Sequence, residues 1–346
     1  LKLSATNLEI GIHCWIGAKV DEDGATTVPA RLFSDLINSL PPERIDMELT
    51  VRTQELNLKC ARVEAKIKGI DAQEFPLIPT AGEEEAEPGL FTCPLGVRTL
   101  GRMIDQVVFA AATDESRPIL TGVLAKFQGE TLTLAAADGF RLSVSTAALE
   151  SPVPEPINVI IPARALAELS RIAQGLEVGD EDKTIELTVT PARNQALFHM
   201  PNVDLVSQLI EGNFPDYNQI IPKSHVTRTV VGTAEFLKAT KTANIFARDA
   251  ANIVRLQIVP GSELTPGQMI LTATAEVGGN VGEIDATVEG EPLEIAFNAK
   301  YLIDFLSVVD VDRIVLETTT TSSPGVFKPV GEEDFLCVIM PMHISK

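Results

Sequence analysis

Lysine and arginine are in short supply: 28 of them face 48 aspartates and glutamates, giving 346 residues a formal net charge of -20. A surface of that sign repels phosphate, and taken alone it argues against a nucleic-acid partner. Cysteine and histidine are scarce too. Cys14, Cys60, Cys93 and Cys337 stand without CxxC or metal spacing, and His13, His199, His225 and His343 have no companions at catalytic spacing. This pattern excludes a disulfide framework and a structural zinc, and it predicts a reduced, cytoplasmic protein with no cofactor and no metal. No run of 18 apolar residues occurs, so no membrane span is predicted. Gly-rich phosphate loops, HExxH and GxSxG are all missing, which disfavours an enzyme. The paired carboxylates Asp114-Glu115 read as a solvated turn, because adjacent side chains point in different directions. The chain opens at Leu1, not Met, without the charged and apolar regions of a signal peptide, and a missing N-terminal segment is the simpler reading.

What is present is a long repeat. Val28-Pro29-Ala30-Arg31-Leu32 returns as Ile161-Pro162-Ala163-Arg164-Ala165 and as Phe297-Asn298-Ala299-Lys300-Tyr301, with 133 positions from Pro29 to Pro162 and 136 from Pro162 to Asn298. Other landmarks keep the register: Leu1–Asn7 matches Leu132–Asp138, with Met269–Thr274 as the third copy, and each repeat closes on an apolar stretch near a proline. Three domains of one kind follow, at 1–82, 90–222 and 223–346, separated after the first by the acidic linker Ala81–Gly89. Matching Leu1 to Leu132, in a repeat that opens near Phe91, implies that the first domain lacks the 41 positions from 91 to 132, and with them its first helix. Strand-like alternation dominates, as in Thr184–Thr190 and Arg313–Thr318, and the predicted helices are 30–40, 95–112, 163–174, 233–250 and 299–309. In the first of these, Leu32, Phe33, Leu36, Ile37 and Leu40 share one face. The architecture predicted is α+β, with sheets covered by helices on one side.

Positive charge collects on those helices, which carry nine basic residues against six acidic ones. Arg31, Arg164 and Lys300 each fall in a first turn, with Asp35, Glu168 and Asp304 four residues later. The helix dipole favours the opposite order. Three cations placed against it suggest a partner outside the helix, and local ion pairs on a solvated face are the plainer alternative.

Two longer words carry a resemblance. Ala112-Thr113-Asp114-Glu115-Ser116-Arg117-Pro118-Ile119-Leu120-Thr121-Gly122-Val123 and Ala137-Asp138-Gly139-Phe140-Arg141-Leu142 resemble the middle domain of the bacterial DNA polymerase sliding clamp, the beta subunit of the replicative polymerase. The resemblance implies three repeated DNA-clamp domains, each with two helices facing the interior of a ring. It implies a non-catalytic processivity factor that encircles double-stranded DNA without reading sequence, so that topology, rather than attraction, retains the acidic ring. Arg31, Arg98, Arg102, Arg164, Arg171, Lys238, Lys241 and Lys300 are then the DNA-facing set. It further implies a hydrophobic groove between the second and third domains for peptides of the Gln-Leu-x-Leu-Phe kind, borne by DNA polymerase and clamp-loader subunits. Its walls are Leu120, Gly139, Phe140, Arg141, Leu142, Pro215, Gln219, Ile220, Ser323, Pro324, Val338, Met340, Pro341 and Met342, where flexible methionines suit several ligands. A head-to-tail homodimer is implied as well, with Ile245 and Phe246 meeting Leu32, Leu36, Ala65 and Ile67 of a second copy. Two positions depart from the family: Phe140 stands where His or Tyr is common, and the tail ends His343-Ile344-Ser345-Lys346 in place of Arg-Leu. The rival reading is a β-rich repeat scaffold or adhesin without a DNA role.

Overall fold

The computed structural model describes residues 1–80, 90–175 and 183–343. The predicted acidic linker and the tail residues Ile344, Ser345 and Lys346 lie outside them. Contacts divide the chain into two compact units, Leu1–Leu90 with Leu197–Ser207, and Phe91–Ala196 with Gln208–Lys346.

In the first unit the strands Lys2–Thr6 and Ile10–Trp15 form a hairpin, and Val203–Gln208 pairs with the second of them, Val203 opposite Cys14. A row of polar side chains crosses this sheet. His13 Nδ1 lies 2.7 Å from Ser4 Oγ, His13 and Asp204 are cross-strand partners, and His199 Nδ1 lies 2.6 Å from Asp204 Oδ1. His13 and Asp204 are buried and need such partners, so the two histidines, one buried and one exposed beside Asp204, serve the sheet. A separate meander is made by Ile45–Thr50, Glu55–Cys60 and Val63–Lys68. Helix α1, Ala30–Ser39, is strongly amphipathic and yet buries no residue. Its counterparts in the later repeats are covered by a second helix, and this unit holds none among the described residues.

The second unit is organised around one 12-stranded sheet. Its two halves meet where Arg141–Ala148 pairs with Phe335–Ile339, Arg141 opposite Ile339 and Ser145 opposite Phe335. Four helices pack on this unit's strands: α2 (Val97–Val108), α3 (Ala163–Gln174), α4 (Thr233–Ala247) and α5 (Ala299–Val308). They pair as α2 with α3 and α4 with α5, so the repeat read in the sequence is a repeat of helix pairs on strands. Each buries one stripe: Leu100, Met103, Ile104 and Val107 on α2, Leu302, Phe305 and Leu306 on α5. Two predicted boundaries shift. Helix α2 starts at Val97 because Phe91–Gly96 is a strand paired with Thr184–Val189, and α4 stops at Ala247, ahead of the left-handed Ala251 and Asn252. Among the described residues no helix is long and apolar enough to cross a membrane.

The core under α4 and α5 is aromatic. Phe327 meets Phe297 edge-on at 5.5 Å and Phe305 at 5.6 Å, and all three rings are fully buried. Phe327→Ala removes both contacts and leaves a cavity, which costs about 3–5 kcal/mol. Urea unfolding is expected to show a loss of that size, whereas Leu32→Ser on exposed α1 leaves the transition of this unit unchanged.

Candidate functional site

The two sequence words meet in space. Asp114 accepts from the Ser116 hydroxyl at 2.6 Å and its N–H at 2.9 Å, a tight turn that leads through Arg117 into the short helix Pro118–Thr121. The second word ends in a turn at Gly139, whose φ of +91° suits glycine, and a Cβ there would stand 2.7 Å from Arg117 Nη1. Asp138 fastens the same turn, accepting from Phe140 N–H at 2.8 Å and Arg141 N–H at 3.0 Å. The turn presents Phe140, 57% exposed, and its carbonyl accepts from Met340 N–H at 2.8 Å.

Below Met340 lies an open trough of about 440 Å³. Of the predicted groove residues it is lined by Gln219, Ile220, Ser323, Pro324 and Met340; Ile221, Pro222, Lys223, Ser224 and Thr319 complete it and were not foreseen. Ile220 is 46% exposed and Met340 39%, so apolar surface is presented to solvent. The wall at Ile220 is set by a one-turn helix, Tyr217–Gln219. Asp216 accepts from the Gln219 side-chain amide at 3.0 Å, the Asn218 side chain at 3.1 Å and the Asn218 N–H at 3.2 Å. Those bonds, the Gln219 one first, hold the Asp216 carboxyl below its usual value.

Other predicted walls lie elsewhere. Leu142 and Val338 are buried in a small core with Ala135, Val144 and Val326, and the trough residue Ile221 packs against that core. They form the base under the trough, not its surface. Leu120, Pro215, Pro341 and Met342 lie outside the trough lining, and Met342 N–H donates to the Ala296 carbonyl at 2.8 Å. Arg141 is corrected most clearly. Its side chain is only 10% exposed and turns inward to ion pairs with Asp138 and Asp304 at 3.0 and 2.6 Å.

The basic residues sit on exposed helix faces, opposite the buried stripes. Arg31, Arg164, Lys238, Lys241 and Lys300 make no ion pair among the described residues. The acidic residues at i+4 are engaged otherwise: Glu168 with Arg171 at 2.9 Å, and Asp304 with Arg141. Local pairing therefore leaves Arg164 of α3 and Lys300 of α5 unmatched. Arg102 approaches Asp334 at 3.7 Å, and Arg171 is held by Glu168, so those two are partly neutralised. On α4 a shallow depression is lined by Ala234, Leu237, Lys238, Lys241, Thr242 and Ile245, which puts two cations on one face with three apolar residues, of which Ile245 is 54% exposed.

The expected dimer residues divide as well. Leu32 is 54% exposed, Leu36 and Ala65 are half-buried, and Ile67 is 3% exposed, part of its own unit's interior. Phe246 is partly buried against the core of its unit. On the edge strand Val63–Lys68 the residues that face out are Val63, Glu64, Lys66 and Lys68.

Three family models match in succession: DNA polymerase III beta subunit, N-terminal domain, over residues 1–79; central domain, over 95–216; and C-terminal domain, over 218–343. A curated beta sliding clamp of Staphylococcus aureus is 32% identical over 350 residues, covering 99% of this chain and 88% of the relative, and one from Staphylococcus epidermidis matches at the same level. Among solved structures, the DNA polymerase sliding clamp of Bacillus subtilis superposes with a TM-score of 0.86 at 29% identity, over 99% of this chain and 88% of that one. The DNA polymerase III beta subunit of Thermotoga maritima gives 0.86 at 25%, with the same coverage.

The Asp216 contacts favour its ionised form, so the turn keeps its fastening at neutral pH and loses it only as pH falls below the ordinary aspartate range. The Asn218 amide resonance, followed by NMR against pH, is expected to titrate with a midpoint below the usual aspartate value. A midpoint at or above that value contradicts the assignment.

Proposed function

The chain belongs to the DNA polymerase III beta subunit family, the sliding clamps, and from that premise we propose that it closes a ring around duplex DNA and tethers replication proteins to it. It is a processivity factor and not an enzyme. The acidic balance that argued against DNA is compatible with this role, because a closed ring needs no strong attraction and weak phosphate contacts let it slide. Repeats at 1–82, 90–222 and 223–346 are its building units, and DNA in the cytoplasm is where it works. The observation that carries the DNA-facing reading is the set of helix cations without ion-pair partners, Arg164 and Lys300 above all, each at the N-terminal end of a helix whose acidic neighbour is committed elsewhere.

Ring closure requires a second copy, head to tail. Ile245 of α4 supplies an exposed apolar side chain, and Leu32 and Leu36 of the second copy's α1 supply a face with nothing buried in it. Two open strand edges add to this. The strand Gly278–Glu289 is paired with Thr227–Gly232 only from Ala286 onward, leaving an edge that carries exposed Glu283 and Asp285. The outer edge of Val63–Lys68 carries exposed Lys66 and Lys68. Open edges invite strand pairing, and opposite charges fix the register.

The trough lined by Ile220, Pro324 and Met340 is the site for the apolar end of a Gln-Leu-x-Leu-Phe peptide from polymerase or clamp-loader subunits. Apolar anchors need a dry pocket, and Met340 adapts its shape to several of them. Met340→Ala and Ile220→Ala should each weaken a fluorescent Gln-Leu-Ser-Leu-Phe peptide about tenfold without altering the unfolding curve; unchanged affinity in both would count against the groove. For the ring, the protein is loaded by a clamp loader onto nicked circular DNA, which is then linearised. It is expected to run off the ends, and a protein that stays bound is held by grip and not by topology.

A further inference from the structure

Arg141 stands at the meeting point of both halves of the second unit. Its Nη1 donates to Asp304 Oδ2 on α5 at 2.6 Å and its Nε to Asp138 Oδ2 at 3.0 Å. Its guanidinium lies 4.3 Å from the centre of the Tyr301 ring, also on α5, and 5.4 Å from that of Phe109, at the end of α2. A planar guanidinium held by two carboxylates and two rings has little freedom left. The backbone at this point is the turn Asp138–Phe140, whose Phe140 carbonyl fixes Met340 N–H. One chain of contacts thus runs from α5, through the Arg141 side chain and the turn, to the methionine on the trough.

We infer that Asp304 and Tyr301 are positioning residues for the peptide groove: they hold Arg141, and through it the turn and Met340, in the geometry a peptide meets. The inference rests on the groove reading given above. Neither residue lines the trough, and Arg141 is the side chain that joins both of them to the turn beside it. Ser307, exposed on the same helix, provides the internal control.

The experiment uses the full chain and a fluorescein-labelled Gln-Leu-Ser-Leu-Phe peptide, with anisotropy as readout. Asp304→Asn keeps the shape and removes the charge that Arg141 meets; a loss of about tenfold in affinity is expected, the scale of one charge-assisted hydrogen bond. Asp304→Glu restores part of it, and Ser307→Ala has no effect. Tyr301→Leu, which leaves both carboxylates in place, carries the same test should Asp304→Asn fail to fold. A second readout separates positioning from mere stability. Amide exchange at Phe140, Arg141 and Met340 rises in Asp304→Asn and falls again when peptide saturates the protein, while exchange in the buried strand Leu293–Asn298 stays at its wild-type rate. Full affinity in Asp304→Asn and Tyr301→Leu, with affinity lost in Met340→Ala, overturns the inference alone. Full affinity in Met340→Ala and Ile220→Ala as well overturns the groove itself, and the inference with it.

Discussion

The second unit depends on the main-chain pairing of Arg141–Ala148 with Phe335–Ile339. Each repeat alone would end in an open strand edge, and pairing the two edges satisfies both ladders at once. Side chains on either flank of the seam are then buried: Leu142 opposite Val338, Ser143 opposite Cys337. Burial drives the Cys337 thiol far above its usual value, so it sits there as a small apolar group and not as a nucleophile. The trough lies over one side of this seam, where Tyr217 and Ile221 pack on the Leu142 and Val338 core and Ile220 and Met340 stay exposed. A binding site at a junction between repeats is thus a by-product of joining them, with apolar residues already at hand.

Charge follows the same division of labour. The chain is strongly acidic as a whole, and Arg31, Arg164, Lys238, Lys241 and Lys300 stand on the helices without an ion pair among the described residues. On α3 and α5 the acidic residue one turn on has another cation to serve, Arg171 or Arg141. For exposed pairs such competition is worth little in stability. Its effect is on which cations stay available to an outside phosphate, and a helix face that keeps a few of them suits a surface that must be visited and left many times.

Much of this was legible beforehand. The spacing of the Pro-Ala-Arg words gave the repeats, and two words of a dozen residues gave the family, because turns such as Asp114–Ser116 and Asp138–Phe140 need particular residues at particular places. Side-chain direction was not legible. Arg141 reads as a groove wall because it neighbours Phe140, yet at a strand start successive side chains take opposite faces, and Phe140 points to solvent while Arg141 points to α5. Leu142 and Val338 were placed on the wall and belong to the core beneath it; an apolar residue in a strand of a two-sided sheet carries no mark of which side it serves. Ile67, expected at the interface between copies, is likewise buried within its own unit. For α1 the apolar stripe was legible from the spacing and its expected covering came from the resemblance, since periodicity states that a face exists without stating what lies on it. Lys223 and Thr319 went unseen because nothing in their local sequence departs from an ordinary loop.

The buried guanidinium has a further consequence for how the site evolves. Removing one partner from a buried ion pair costs far more than the pair contributes, because an uncompensated charge remains. Asp138 and Arg141, with side chains 13% and 10% exposed, are therefore tied to one another, and Asp304, 40% exposed, is held to Arg141 more loosely. Phe140, next in the chain and 57% exposed, is under no such restraint. The turn accordingly has one position that the fold holds fixed and one that is free to follow the ligand. A departure from the family pattern at Phe140, with Arg141 kept, is the outcome this arrangement favours: the wall of the groove can change its chemistry while the latch behind it cannot.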